Sequence, residues 1–432
     1  MAGESSPIVP VSEAQGQVPV HLRYFRLLRS NPRFRRLWLA QLISEIGDWF
    51  YSLAVYDLLL HLTNSGKVVA WSIIIQTLPW FLMTPLAGHI ADRFSRRRLM
   101  IAADIARGLI VLGLLLVRTE SAVWLAFALL FAEVIFAAVF EPARNALLPN
   151  VTSEEELLPA NALSTATWSF ALTVGAGMGG AAVAIFGRDV AFVMNSLSFF
   201  VSAILIARIV VRETHLEPEQ AEAARAKPAG SLAEGAAYLR DNPKISVLVL
   251  AKLGLGCMGG MLALLVIFGE RIFPIAGKGA LAMGLLYAAR GVGAGLGPFI
   301  GDRLARDLQP RMWNLIGAGF FVMGASYFAF SRAPSLWLAL AALFVAHLGS
   351  SNVWVMSTTL LHFNTSDRFR GRVFALDFGL LMLSISVSNF LVGKGLDDWG
   401  FDPRQLSGFL ALLMLVPAVL WLLAQARWGR SN

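Results

Sequence analysis

Four charged residues stand inside long apolar stretches in the first third of the sequence: Glu45, Asp48, Arg107 and Glu133. Glu45 and Asp48 are three positions apart, so a helix would present both on one face. Two acids held beside one arginine in an apolar medium would leave one carboxyl with a raised proton affinity, which a proton-coupling site requires. The alternative is a structural role, in which Arg107 neutralises Asp104 or another nearby acid.

Two further cations, Lys252 and Arg290, lie inside apolar stretches of the second half, with no obvious acid at the same depth. They could attract an anionic group of a substrate, or their side chains could extend to the membrane surface. Trp168 and Trp354 are candidates for lining an apolar substrate cavity, although most aromatic residues in such chains face lipid or neighbouring helices.

The elements that hold these residues are predicted to be transmembrane helices. The chain of 432 residues is 56% hydrophobic and 15% charged, with a mean hydropathy of +0.63, which is more apolar than a soluble domain. A helix needs about 20 apolar residues to cross the hydrocarbon core. Twelve stretches qualify: 37–60, 68–90, 99–117, 122–141, 163–186, 191–210, 246–268, 280–301, 313–331, 336–358, 373–393 and 406–424.

Counting along these helices tests whether the first set of charges can meet. At 1.5 Å per residue, Glu45, Arg107 and Glu133 each lie about 12 Å from the same membrane face, and Asp48 lies about 16 Å from it. A buried charge cluster near the membrane midplane is therefore possible in the first half.

The predicted spans divide the chain into two halves of six helices, 31–210 and 245–426. A polar linker, 211–244, joins them, and a disordered tail, 1–30, and a short tail, 427–432, flank them. Apolar residues at helical spacing from Leu232 to Leu239 predict a short amphipathic helix, either on the membrane surface or solvated. Lys and Arg are about three times as frequent on the side that holds both tails, which places that side in the cytoplasm.

A short repeat relates the two halves. Ile90-Ala91-Asp92-Arg93 closes the second predicted span, and Ile300-Gly301-Asp302-Arg303 closes the eighth, so each sequence follows the second helix of its half. A duplicated six-helix unit explains both copies.

The segment from Gly88 to Arg98 resembles the loop signature of the major facilitator superfamily, in which a glycine, an Asp-Arg pair and a basic cluster follow one another. The resemblance implies an all-α membrane protein of twelve transmembrane helices in two pseudo-symmetric six-helix bundles, with a cavity that opens alternately to each side. It also implies a cytoplasmic gate in which Asp92 pairs with Arg370 or Arg372. The full set of gate candidates is Gly88, Asp92, Arg93, Arg97, Asp302, Arg303, Arg370 and Arg372.

Three further segments resemble one branch of that superfamily, the bacterial exporters of enterobactin and macrolides. They are 31–38 with Gly47-Asp48, 141–149 with Ala160-Asn161, and 370–373. The resemblance implies proton-driven export of a hydrophobic or amphiphilic, drug-like molecule from a bacterial inner membrane. A siderophore exporter and a lysophospholipid flippase are the alternatives within transport, and a membrane sensor or scaffold is the alternative outside it.

Two departures from drug antiporters of the superfamily stand out. Glu133 occupies the part of helix four where those antiporters often carry an arginine, and Ala176 stands where their glycine signature in helix five has a proline. The glycines themselves remain and predict close helix packing, with Pro298 adding a bend; static packing is the alternative to a moving joint. These helix-packing candidates are Gly175, Gly179, Gly180, Gly293, Gly297 and Pro298.

Several kinds of chemistry are not expected. The sequence has no G-x-x-x-x-G-K-[ST] loop, no metal-ligand spacing and a single cysteine, Cys257, so we expect no ATP-driven pump, metal site, disulfide, enzyme activity or cofactor. The net charge of +8 comes from basic residues between apolar stretches, so nucleic acid is not an expected partner. We expect a monomer that contacts lipids and a small-molecule substrate and draws on the proton motive force.

Overall fold

The computed structural model describes residues 20–211, 213, 232–306 and 308–429, except for the side chains of residues 20–23, 81, 84–89, 92, 232 and 368. Within these ranges the chain is helical, without a named β-strand. The first bundle is built from six long helices after a short helix, α1 (Val20–Ser30). These are α2 (Pro32–Thr63), α3 (Gly66–Arg93), α4 (Arg96–Gly113), α5 (Val123–Val151), α6 (Glu154–Phe186) and α7 (Arg188–Ala207).

The second bundle follows the short helix α8 (Leu232–Asp241). Its first crossing combines α9 (Pro243–Gly256), α10 (Met261–Ile267) and the irregular turns around α10, and its last crossing combines α15 (Pro403–Leu413) and α16 (Leu415–Trp428). Between them run α11 (Gly279–Ala305), α12 (Gln309–Arg332), α13 (Leu336–Asn364) and α14 (Asp367–Asp397). The described residues thus form the twelve crossings in two six-helix bundles that the sequence predicts.

Ten of the crossings in the described residues are long and apolar enough to span a membrane by length and composition. α3 is also long and apolar in sequence, with no Asp, Glu, Lys or Arg from Val68 to Ile90. α2 is less apolar. Glu45, Asp48 and Asp57 lie within α2 and lower its mean hydropathy. Crossings alternate in direction, so α2 begins and α16 ends on the same face, here called the tail face; the opposite face is the distal face.

Helix α1 corrects part of the sequence prediction, which assigned residues 1–30 to a disordered tail. Residues 20–30 are helical. The helix forms because Leu27 is buried in an apolar cluster with Phe34 and Ile206, while Arg26 and Arg29 remain exposed. Residues 1–19 lie outside the described ranges.

Helix α8 lies where the linker sequence predicts a short helix, and it packs against the start of α14. Glu234 pairs with Arg372 at 2.8 Å, and the ring of Tyr238 stacks on Phe369 with centroids 4.3 Å apart. The linker sequence is compatible with a helix on the membrane surface or in solvent. The structure shows that the helix packs against the second bundle, and its location relative to the membrane surface stays a prediction.

The seventh crossing is broken near its middle. α9 ends at Gly256, a 3-10 turn covers Cys257–Gly260, and a π-helical turn follows α10 at Phe268–Ile272. Side chains of α14 satisfy the freed backbone groups: Ser388 Oγ donates to the Cys257 carbonyl at 2.6 Å, and Asn389 Nδ2 donates to the Gly259 carbonyl at 3.0 Å. Irregular backbone is tolerated at this depth because protein groups replace the missing helical bonds.

Contacts between the bundles concentrate at the distal face. Asp397, at the end of α14, accepts hydrogen bonds from the Ser65 hydroxyl and from the backbone N–H groups of Gly66 (3.2 Å) and Lys67 (3.0 Å), so it caps α3 of the other bundle. Lys67 Nζ also pairs with Asp398 at 2.8 Å. We call Ser65, Gly66, Lys67, Asp397 and Asp398 the distal latch.

Two more side chains join the bundles at the same face: Arg271 donates to the Asn64 carbonyl and Lys278 to the Ala184 carbonyl, both at 2.7 Å. Deeper in the membrane, Thr77 bonds Ser386 at 3.0 Å. Within the described ranges, no hydrogen bond or ion pair joins the bundles at the tail face. The polar contacts found between the bundles in the described residues therefore lie on the distal side or deeper in the membrane.

Candidate functional site

The charged residues of the first half meet in one cluster, supplied by three helices. Arg107 of α4 donates from Nε to Glu133 of α5 at 2.7 Å, and from Nη2 to the two carboxylate oxygens of Asp48 of α2 at 3.1 and 3.2 Å. The Phe199 ring covers the guanidinium at 4.0 Å. The side chains of Arg107 and Glu133 are each 7% exposed, whereas that of Asp48 is 33% exposed. Asp48 is thus the member of the cluster that is accessible from outside the buried pair of Arg107 and Glu133.

Asp104 adds a third acid to this cluster. Its carboxyl lies 3.9 Å from Arg107 Nη1, has no exposed side-chain surface and accepts no hydrogen bond in the described residues. Three carboxyl groups therefore surround one guanidinium. If all three were ionised the cluster would carry a surplus of negative charge, which is costly in an apolar interior.

Glu45 lies on the same helix face as Asp48 but outside the ion pairs of Arg107. Gln41 Nε2 donates to one of its oxygens at 2.7 Å, and the other oxygen, Oε2, is buried without a hydrogen-bond partner in the described structure. Glu141 and Arg144, an ion pair at 2.8 Å, lie toward the tail face from Glu45. Of the four charged residues predicted to meet, Asp48, Arg107 and Glu133 are in contact, and Glu45 lies beside them.

Two cavities open against these acids. One, of about 80 Å³, is lined by Glu45, Asp48, Arg107 and Glu141 among others. The other, of about 150 Å³, is lined by Glu45, Asp48, Trp49, Ser52 and Trp168. Each has room for at least one water molecule, whose share of liquid volume is about 30 Å³. Trp168, a predicted cavity residue, therefore lies beside the two acids.

The second half contains a buried ion pair that the sequence analysis missed. Lys252 of α9 contacts Asp377 of α14, and their side chains are 5% and 2% exposed. The indole of Trp354 lies 4.7 Å from the ammonium group. The expectation that Lys252 has no acid at its depth is wrong. The sequence did hold the signal, since Lys252 and Asp377 lie about 9 and 6 Å into their predicted spans from the same face.

Arg290 differs from the other two buried cations. It lies within α11, is partly exposed, and its guanidinium carbon is 5.8 Å from the centre of the Tyr287 ring. Among the described residues, no carboxylate lies within ion-pair distance of it, and it donates no hydrogen bond. The prediction that Arg290 has no acidic partner at its depth therefore agrees with the described structure.

Three of the gate candidates, Arg97, Arg370 and Arg372, form bonds within their own half of the chain. Glu213 accepts from the backbone N–H groups of Arg96 (2.7 Å) and Arg97 (3.2 Å), and Arg97 Nε donates to the Ile206 carbonyl at 3.3 Å. Arg370 pairs with Asp367 at 2.6 Å, and Arg372 pairs with Glu234 of α8. Arg93, Asp302 and Arg303 are exposed. The Asp92 side chain and Gly88 lie outside what the structure describes, so the predicted pairing of Asp92 stays a prediction.

The predicted packing glycines lie at close helix crossings. A Cβ atom on Gly180 of α6 would lie 2.7 Å from the Gly284 Cα atom of α11, and one on Gly179 would lie 3.0 Å from the Phe50 Cα atom. Gly175 faces the backbone of α2, and Gly293 and Gly297 face α13, with Pro298 inside α11. Any side chain at Gly180 would push the two bundles apart.

Twelve crossings in two bundles, with a buried charge cluster and cavities between the helices, are the architecture of a secondary transporter. The Major Facilitator Superfamily profile matches residues 37–388, and the chain belongs to that family. It is a multi-pass membrane protein.

Curated relatives include exporters. The chain is 23% identical over 401 residues to macrolide efflux protein A of Streptococcus pyogenes, covering 89% of this chain and 94% of the relative. It is 24% identical over 357 residues to the enterobactin exporter EntS of Citrobacter koseri, covering 80% and 81%. An uncharacterized transporter of Bacillus subtilis, YfiS, is 27% identical over 218 residues, and that match spans about half of each chain (50% and 51%).

Solved structures share the fold at low sequence identity. A bacterial homologue of ferroportin in an inward-facing state has a TM-score of 0.67 at 16% identity, covering 94% of this chain and all of that chain (100%). A bacterial homologue of the lysosomal transporter Spinster, also inward-facing, has a TM-score of 0.66 at 15% identity, covering 96% and 100%. These likenesses support the fold alone.

Proposed function

We propose that this protein exports a hydrophobic or amphiphilic small molecule by alternating access, and that protons entering the cell drive the export. The exporters among its relatives support the direction and the class of cargo. Following the distribution of Lys and Arg, the protein lies in a bacterial inner membrane with both termini in the cytoplasm. It acts as a monomer, without a cofactor or enzymatic activity.

The observation that carries proton coupling is the position of Asp48. Its carboxylate contacts the buried Arg107 on one side and lines both cavities on the other. A proton that arrives by water can bind Asp48, and this weakens the attraction between Asp48 and Arg107 while Glu133 keeps the arginine neutralised. The helices that carry these residues, α2 and α4, can then shift relative to each other.

Glu45 extends this site toward the tail face. One of its oxygens has no partner in the described structure, and both cavities touch it. It is placed to pass a proton between the tail side and Asp48. Glu45 and Asp48 together therefore form the proposed path, with Arg107 and Glu133 as the fixed charges that make it sensitive to protonation.

The proposal can be tested with purified protein in liposomes that enclose a pH-sensitive dye. Erythromycin, a macrolide, and enterobactin are added outside, and we expect at least one of them to cause proton movement through the wild type. Asp48→Asn should abolish this coupled flux, because an amide cannot take up the proton. Asp189→Asn is the matched control, since Asp189 forms an exposed ion pair with Arg118 away from the cavities.

Proton movement of wild-type size through Asp48→Asn would remove this residue from the mechanism. Cargo transport that proceeds equally with and without a pH gradient would remove proton coupling itself. Enterobactin as cargo is a second candidate, favoured by the relative that exports it. A preference for enterobactin over erythromycin in the same assay would select a siderophore exporter over a drug exporter.

A further inference from the structure

Three cations lie within the membrane interior of the described structure, and only two of them are neutralised by protein. Arg107 is held by Asp48 and Glu133, and Lys252 by Asp377. Arg290 has no carboxylate within 4.0 Å in the described ranges. An unpaired charge at this depth costs several kcal/mol, so a residue that keeps one normally faces a cavity or a ligand.

The polar groups around Arg290 carry no negative charge that could balance it. Arg290 interacts electrostatically with Tyr56, Tyr327 and His347, all neutral or basic groups at neutral pH. Tyr327 and His347 bond each other at 2.9 Å, and the Tyr287 hydroxyl donates to the Leu262 carbonyl at 2.9 Å. In the described structure Arg290 donates no hydrogen bond to any of these groups, which leaves the five N–H donors of the guanidinium for an acceptor from outside the chain.

Aromatic residues lie between Arg290 and the proton site. Tyr287 is three residues before Arg290 on α11, so both lie on one helix face. Its ring packs against Trp49 at 5.7 Å and Tyr56 at 6.3 Å, both on α2 of the other bundle. Trp49 lines the 150 Å³ cavity together with Asp48. The free cation therefore lies near the bundle interface, and the buried ring of Tyr287 separates it from Trp49, which lines the cavity.

We propose that the cargo carries an anionic group, such as a carboxylate, which binds Arg290 while its apolar part lies against Trp49 in the cavity. This inference rests on the proposed transport function and specifies the charge of the cargo. The planar fork of an arginine matches a carboxylate in geometry and strength better than an ammonium group does. Lys252 does not serve this purpose, because Asp377 already neutralises it.

The test uses full-length protein in lipid nanodiscs and aromatic ligands in matched pairs. Dansylglycine and 2-naphthoate are the acids, and dansylglycinamide and 2-naphthamide are their neutral partners. We expect the acids to bind the wild type about tenfold more tightly or better than the amides, as for a charge-assisted hydrogen bond. In Arg290→Gln this preference should fall to about twofold or less, and Arg290→Lys should keep part of it.

Arg332→Gln is the matched control, because Arg332 also lies over a ring of the second bundle, that of Phe328 at 5.7 Å, but is exposed at the end of α12. Arg332→Gln should keep the wild-type preference for acids.

Equal binding of acids and amides by the wild type, or no binding of either, overturns the inference. So does a loss in Arg290→Gln that is the same for both, which would indicate a structural role. Proton-coupled transport of a neutral cargo would contradict this inference but would still support the proposed function.

Discussion

The carboxylate of Asp48 contacts the buried guanidinium of Arg107 at 3.1 Å while a third of its own side chain (33%) stays exposed. A single residue thus belongs both to a dry ion-pair cluster and to the surface of a cavity. Arg107 is the shared partner of all three acids in that cluster, so its removal has a predictable cost.

Arg107→Met should destabilise the protein strongly. It would leave Asp48, Asp104 and Glu133 without a counter-ion, and breaking a buried ion pair in this way costs about 3–5 kcal/mol. The measurement is the thermal unfolding midpoint in detergent. Arg118→Gln, which removes an exposed pair with Asp189, should cost about 1 kcal/mol or less. Similar losses for the two variants would contradict the assignment of Arg107 as the centre of the cluster.

The pair of Lys252 and Asp377 predicts a compensating double substitution. Lys252→Met or Asp377→Leu alone leaves one buried charge unpaired and should cost about 3 kcal/mol or more. The double variant leaves no charge and should recover most of that loss. Unfolding midpoints of the four proteins give the coupling directly, and strictly additive losses would show that the two side chains do not interact.

The distal latch predicts a shift in conformation when its cap is removed. Asp397→Ala loses the bonds to Ser65, Gly66 and Lys67 that cap α3, so the distal ends of α3 and α14 should separate more often. Spin labels on these two ends, in a Cys257→Ser background, report the distance. Asp402→Ala is the control, because Asp402 caps α15 within its own bundle. Distance distributions that match between the two variants would argue against the latch.

Close packing of α6 on α11 predicts that Gly180→Leu prevents the bundles from closing at this point. The new side chain would meet the backbone of Gly284, and backbone cannot move aside as a flexible side chain can. Transport should be lost while the protein still folds, because the substitution disturbs one crossing of α6 and α11 and leaves the packing within each bundle in place. Gly371→Ala, with no atom within 4 Å of the added carbon, should transport normally. Active transport by Gly180→Leu would mean that this contact is not needed.

The sequence predicts the crossings well and their ends less well. The fourth span was predicted to end at 141, but α5 continues to Val151 through Pro142 and Pro149. Hydropathy measures where lipid ends, whereas the helix continues because Ala143, Leu147 and Leu148 are buried against other helices. α6 likewise begins at Glu154, before its apolar stretch, because Ser153 and Glu156 form a capping box.

The sequence predicts a contact in the candidate site where it depends only on the depth of each residue in the membrane. It does not predict a contact that depends on how a helix is rotated about its own axis. Counting residues placed Glu45, Asp48, Arg107 and Glu133 at similar depths, and the structure brings all but Glu45 into contact. Depth could not show that Gln41, one turn away, would hold Glu45 apart from the arginine. It could also not show that Arg290 would have aromatic and histidine neighbours and no acid in the described structure, because this depends on the faces that α11 and α13 turn toward each other.

The broken seventh crossing has a mechanical meaning. A 3-10 turn interrupts the α-helix here, and the carbonyl groups of Cys257 and Gly259 accept hydrogen bonds from Ser388 and Asn389 of α14. Bending at this joint therefore sacrifices no bond of a continuous helix, and the outer piece, from Met261 onward, is coupled to α14. When the distal end of α14 moves, we expect the segment from Met261 onward to move with it, while α9 stays in place.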